Sequence, residues 1–146
     1  MYRSLISVLL ATFLCHAANA LEASDGWMRA MPPGQPTAAA YVSLSNPSDA
    51  PVALVAASAT FAGTVEFHES LQEDGMWRMR RLEGIVIPAG GSVILEPGGK
   101  HLMLFGVSAP TREGDQLTIT LELDNGTSLP VAIQVQAPGA AHRHHH

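Results

Sequence analysis

Apolar and polar residues alternate with a period of two through most of this chain, and Gly, Pro, Asn or Asp interrupts the alternation every few residues. Successive side chains of a strand point to opposite faces, so this pattern sets one face of each segment on a core and the other in water. Leu117, Ile119, Leu121 and Leu123 alternate with Thr118, Thr120 and Glu122, and Val131, Ile133 and Val135 resume the pattern. Between the two runs, Asn125-Gly126 offers positive φ for a tight turn, which predicts a hairpin. Similar runs occupy 38–45, 52–58, 64–68, 76–81, 85–87, 92–95 and 101–105, joined by Asp74-Gly75, Pro88 to Gly91 and Pro97 to Gly99. No segment carries the period of a long helix. About eight or nine short strands, with no internal repeat or linker, predict one all-β domain: a β-sandwich or a closed Greek-key barrel.

The first residues bear on the compartment. Arg3 lies in a short leading segment, Leu5 to Leu14 is an apolar run too short to span a bilayer, and Ala18-Asn19-Ala20 follows. This predicts a secretory signal over residues 1–20, cleaved after Ala20. The single cysteine, Cys15, falls inside it. Thr12-Phe13-Leu14 lacks the small residue that directly precedes a lipoprotein cysteine, so no lipid anchor is expected. The exported chain then has no thiol for a disulfide, a metal or a nucleophilic reaction. Residues 21–136 have the length of one ordinary domain, and 137–146 departs in composition as a flexible His-rich tail. The net charge of −5 comes with no basic patch, which argues against nucleic acid. No stretch after residue 20 is long and apolar enough for a spanning helix.

Four residues stand out from the strand pattern. His68 is followed after ten residues by Met79, after twenty-one more by His101, and then at once by Leu102 and Met103. Two imidazoles and two thioethers form a soft, neutral ligand set that suits Cu(I) and serves Mg²⁺ or Ca²⁺ poorly. In a strand, His101 and Met103 share one face while Leu102 and Leu104 take the core. A hairpin over 64–81 brings His68 and Met79 towards one end of the fold, with Trp77 and Arg81 on the Met79 side and Arg78 and Arg80 facing away. Spacing does not by itself join the two pairs. Methionine also serves as core filler and a strand histidine as a surface residue, so a metal-free sandwich used for adhesion or interaction stays open on the residues alone.

The pattern H-x10-M-x21-H-x-M resembles that of the periplasmic PCu(A)C copper chaperones. The likeness extends to Trp27-Met28-Arg29-Ala30, Pro32-Pro33-Gly34, Ala38 to Tyr41, Asn46, Val65 to His68, Met76 to Met79, Ile87 to Gly91 and Pro97 to Leu104. It departs at Glu69, where many members carry methionine. The resemblance implies a cupredoxin-like Greek-key β-sandwich or barrel in the periplasm. There it would hold Cu(I) through His68, Met79, His101 and Met103 and supply it, alone or with a Sco-type partner, to the copper-site subunit of cytochrome c oxidase. Thioethers hold Cu(I) less tenaciously than thiolates and need no deprotonation, so only the histidines make binding weaken in acid.

Other readings are weighed against this one. Electron-transfer cupredoxins need a Cys thiolate, which the exported chain lacks. No grouping of acid, base and nucleophile supports an enzyme. A copper storage or scavenging protein remains the alternative within copper binding. Glu66, Glu69, Glu73 and Asp74 cluster near His68 as a solvated surface, one of whose carboxylates can orient the imidazole or meet a basic partner. The tail His142, His144, His145 and His146 reads either as a polar terminus or as a second, weaker site preferring Cu(II).

Overall fold

The computed structural model describes residues 20–139. The expected leader up to Asn19, with Cys15, and the tail histidines His142, His144, His145 and His146 lie outside them. The described residues form ten strands: β1 (Glu22–Arg29), β2 (Thr37–Ser45), β3 (Val52–Ser58), β4 (Thr64–Glu73), β5 (Met76–Leu82), β6 (Ile85–Ile87), β7 (Ser92–Leu95), β8 (Lys100–Phe105), β9 (Gln116–Leu123) and β10 (Ser128–Gln136).

They pair in the order β5-β4-β8-β2-β1-β10-β9-β3-β6, with β7 beside β2. Ala57 of β3 lies opposite Val65 of β4 and closes seven of the strands into a barrel. The ends β5 and β6 stay outside that ring. This is the all-β, cupredoxin-like architecture. Inward-facing Leu44, Leu54, Leu102, Leu104, Ile119 and Ile133 are completely buried, which removes from water the apolar halves of the alternating runs.

Strand β1 has no counterpart in the periodicity. Its register slips between Ser24 and Trp27, where Asp25 takes a φ of 53°. A bulge of this kind breaks the alternation on which a sequence reading depends. Gly26 is needed there because a Cβ would run into the carbonyl oxygen of Ala132 on β10. Past the bulge, Trp27, Met28 and Arg29 pair in parallel with Gln134, Val135 and Gln136.

Strand β4 runs to Glu73, five residues beyond the expected end at His68. Polar Glu69, Ser70, Gln72 and Glu73 end the apolar pattern, yet the backbone continues because β5 pairs with it from Phe67–Leu82 to Glu73–Met76. Asp74 and Gly75 both take positive φ, 50° and 76°, as a two-residue hairpin with right-handed twist requires. The Asn125-Gly126 expectation is met only in part. Gly126 alone is at positive φ (82°), and Asn125 acts through its side chain, which accepts from the Thr127 amide (2.9 Å) and hydroxyl (2.6 Å).

Candidate metal centre

The register of three neighbouring strands determines which side chains meet. On β4 and β8, His68 lies directly opposite His101, and Glu66 opposite Met103. On β4 and β5, His68 is also opposite Arg81, while Ser70 is opposite Met79. Directly paired residues share a face and positions two apart on a strand do as well. His68, His101, Met103 and Met79 therefore share one face of the β5-β4-β8 sheet, outside the barrel. The leucines 102 and 104 fill the inside. The histidines form the middle row, with Met103 one row along the sheet and Met79 one row the other way.

The imidazole centroids are 6.0 Å apart. A metal–nitrogen bond of about 2 Å places a ring centroid about 3 Å from the ion, so one ion fits between the rings. His101 is 4% exposed, and its Nδ1 donates to the Gly99 carbonyl at 3.1 Å. His68 Nε2 donates to Glu66 Oε2 at 2.8 Å. The remaining nitrogen, His68 Nδ1, is buried and has no hydrogen-bond partner. Buried polar atoms are nearly always satisfied, so this nitrogen calls for a partner that the protein itself does not supply. Among the described residues, no three His, Cys, Asp or Glu side chains are placed to hold a metal ion. A metal on this face thus depends on the thioethers.

Aromatic rings pack beside the histidines. Tyr41 lies 6.4 Å from His101 and Phe105 lies 6.0 Å from His68, centroid to centroid, with Trp27 packed at 4.6 Å against Tyr41 in a tilted arrangement. Burial pushes the Tyr41 phenol up, against the opposing pull of the Arg29 guanidinium. Sequence reasoning did not assign Tyr41 or Phe105 to this face. Phe105 follows from strand alternation with Met103, whereas Tyr41 needs the β2–β8 pairing. Met79 is different in character, 54% exposed at the outer edge of the sheet. An exposed thioether on an edge strand is open to an incoming molecule.

The acidic cluster separates into distinct contacts. Glu66 reaches both His68 and, through Oε1, Arg81 Nη1 at 3.7 Å. Glu69 lies on the other face, bonded to Arg80 at 2.9 Å and Lys100 at 3.1 Å, and these two hold its carboxyl below the usual range. Glu73 meets Arg78 at 3.4 Å.

The family "lipoprotein LpqE-like" matches residues 21–135. A Leifsonia xyli subsp. xyli protein named as a lipoprotein is 32% identical over 120 residues, covering 82% of this chain and 71% of its own length. The Cu(I) form of DR1885 from Deinococcus radiodurans is similar in structure with a TM-score of 0.62 and 31% identity, over 86% of this chain and 83% of that one. The copper-bound PCuAC domain from PmoF2 gives a TM-score of 0.70 over 84% of this chain and 97% of that one; at 24% identity this is a likeness of fold.

Proposed function

The chain belongs to the LpqE-like family, of PCuAC type, and from that premise we propose that it is an exported Cu(I) carrier that surrenders its cargo to a copper-requiring protein. His68, Met79, His101 and Met103 are the proposed ligands. The observation that carries this reading is the buried, unpartnered Nδ1 of His68 facing a second imidazole on a strand face flanked by two methionines.

The donor set matches the task. Neutral nitrogen and thioether donors favour Cu(I) over hard ions, and thioethers survive an oxidising compartment in which thiolates form disulfides. Met79 at the exposed edge can leave the ion first, opening a position for the acceptor's ligand while the more enclosed imidazoles still hold it. Transfer by ligand exchange needs no catalytic residue, so the proposed role is not enzymatic. The copper-site subunit of cytochrome c oxidase, reached directly or through a Sco-type protein in the periplasm, is the proposed acceptor.

Competition titration with a chromogenic Cu(I) chelator tests the centre. Wild type is expected to take one Cu(I), with mixed sulfur and nitrogen scattering in X-ray absorption. Met103→Ala should weaken binding by at least tenfold, about 1.4 kcal/mol. Unchanged affinity in that variant, or a first shell without sulfur, would overturn the assignment. A metal-free interaction module would bind no stoichiometric copper.

A further inference from the structure

The two imidazoles are held by different nitrogens, because each partner can only accept. The Gly99 carbonyl requires Nδ1–H on His101, which leaves that ring's lone pair on Nε2. The Glu66 carboxylate requires Nε2–H on His68, which leaves the lone pair on the buried Nδ1 that no hydrogen bond reaches.

Resting on the Cu(I) reading above, we propose that Glu66 is the positioning residue of this centre: it fixes His68 as the Nε2–H tautomer, so that the ion is taken by Nδ1 of His68 and Nε2 of His101. Glu66 is placed for this by the strand. It precedes His68 by two residues on the same face, lies opposite Met103, and directs its second oxygen towards Arg81, which is itself opposite His68 on β5. Neither of the glutamates next along the strand can substitute, since Glu69 faces the other way onto Arg80 and Lys100, and Glu73 meets Arg78. A carboxylate on the far nitrogen also strengthens the imidazole as a donor, and its negative charge offsets that of the cation.

The tautomers can be read without metal. Long-range imidazole ¹H–¹⁵N correlations on the apo protein, with both rings neutral and assigned through His68→Gln and His101→Gln, should show Nε2–H on His68 and Nδ1–H on His101. Glu66→Gln retains an acceptor oxygen and should keep the His68 tautomer while losing the charge. Glu66→Ala should release His68 to a mixture, leave His101 unchanged, and weaken Cu(I) binding by about 10–100-fold, with Glu66→Gln between it and wild type. An Nδ1–H signal on His68 in the wild type, or a Glu66→Ala protein with unaltered tautomer and affinity, would overturn the assignment. The wild-type and Glu66→Gln spectra decide the matter even where the alanine variant does not fold. Failure of wild type to bind Cu(I) sinks the cargo reading while the apo tautomers stand as stated; a wrong apo tautomer alongside intact Cu(I) binding sinks only the role of Glu66.

Discussion

Asn46 is wholly buried, and its side chain satisfies a set of backbone groups that the strand ladders leave over. Its Nδ2 donates to the carbonyls of Ala50 (2.8 Å), Ile87 (3.1 Å) and Pro88 (3.2 Å), while Oδ1 accepts from the Ser48 amide (3.1 Å) and hydroxyl (2.6 Å). One amide thus ties the end of β2 to the turn after β6. Replacing it with alanine strands the buried Ile87 carbonyl and frees the part-buried Ala50 and Pro88 carbonyls, and each unsatisfied buried group costs about 1–3 kcal/mol. Asn46→Ala is expected to lower unfolding stability by about 2–3 kcal/mol in urea denaturation. Cu(I) affinity of the folded variant should match wild type, because the Asn46 side-chain hydrogen bonds go to Ser48, Ala50, Ile87 and Pro88 and none to β4 or β8. Loss of copper binding without loss of stability would show that the residue does something else.

The β4–β5 hairpin is the element that sets Met79 apart from the other proposed ligands. It extends past the barrel, almost all of β5 is exposed, and Trp77 is 66% exposed. Packing contributes little there, so β5 is held by the turn at Asp74-Gly75, by its ladder with β4 and by the Arg80–Glu69 ion pair, while Lys100 ties Glu69 to β8 beside the β4–β8 ladder. The folded Glu69 carboxyl is held low by Arg80 and then Lys100. A depressed acid stabilises the fold above its unfolded value, near 4, and that contribution disappears as pH falls through the folded value. Arg80 is exposed and Lys100 partly so, and solvent screening of the pairs limits the effect to about 1 kcal/mol or less. Protection factors of the hairpin amides, corrected for the intrinsic slowing of exchange in acid, should therefore fall on acidification more than those of β9 and β10, and Glu69→Gln should remove part of that difference. An equal fall in all four strands would show that Glu69 does not tether the hairpin.

At the scale of the whole molecule, the barrel has one weak seam. Strands β9 and β10 pair over seven registered positions, from Ser128–Glu122 to Gln134–Gln116, whereas β3 and β4 meet only at Ala57–Val65. Local opening follows the seam with the fewest ladder bonds and the least packing. Native-state amide exchange should find the β3–β4 boundary the least protected junction of the ring and β9–β10 among the most protected. If β3–β4 amides exchange only by global unfolding, the closure is stronger than its pairing suggests. The proposed ligands lie on the β4–β8 side of this seam, joined by six registered positions from Thr64–Phe105 to Glu69–Lys100. Opening of the seam thus leaves the imidazole row intact.

Sequence alone determined that the chain is all-β and which face its alternating strands bury, because alternation records burial one residue at a time. His101, Leu102, Met103 and Leu104 show this directly, with the leucines in the core and the other two outside. It also marked the Asp74-Gly75 turn, whose positive φ angles are a local property of those residues. It missed β1, where a bulge at Asp25 cancels the alternation, and it ended β4 early, where pairing with β5 rather than burial sustains the strand. Which strands neighbour one another was decided by tertiary structure, since β4 and β8 are far apart in sequence and only their pairing sets His68 opposite His101. Alternation within β4 puts Glu66 on the His68 face and turns Glu69 and Glu73 away. The placing of His68, His101, Met79 and Met103 on one face depends on register across three strands, and register is set by how the whole sheet shares its core.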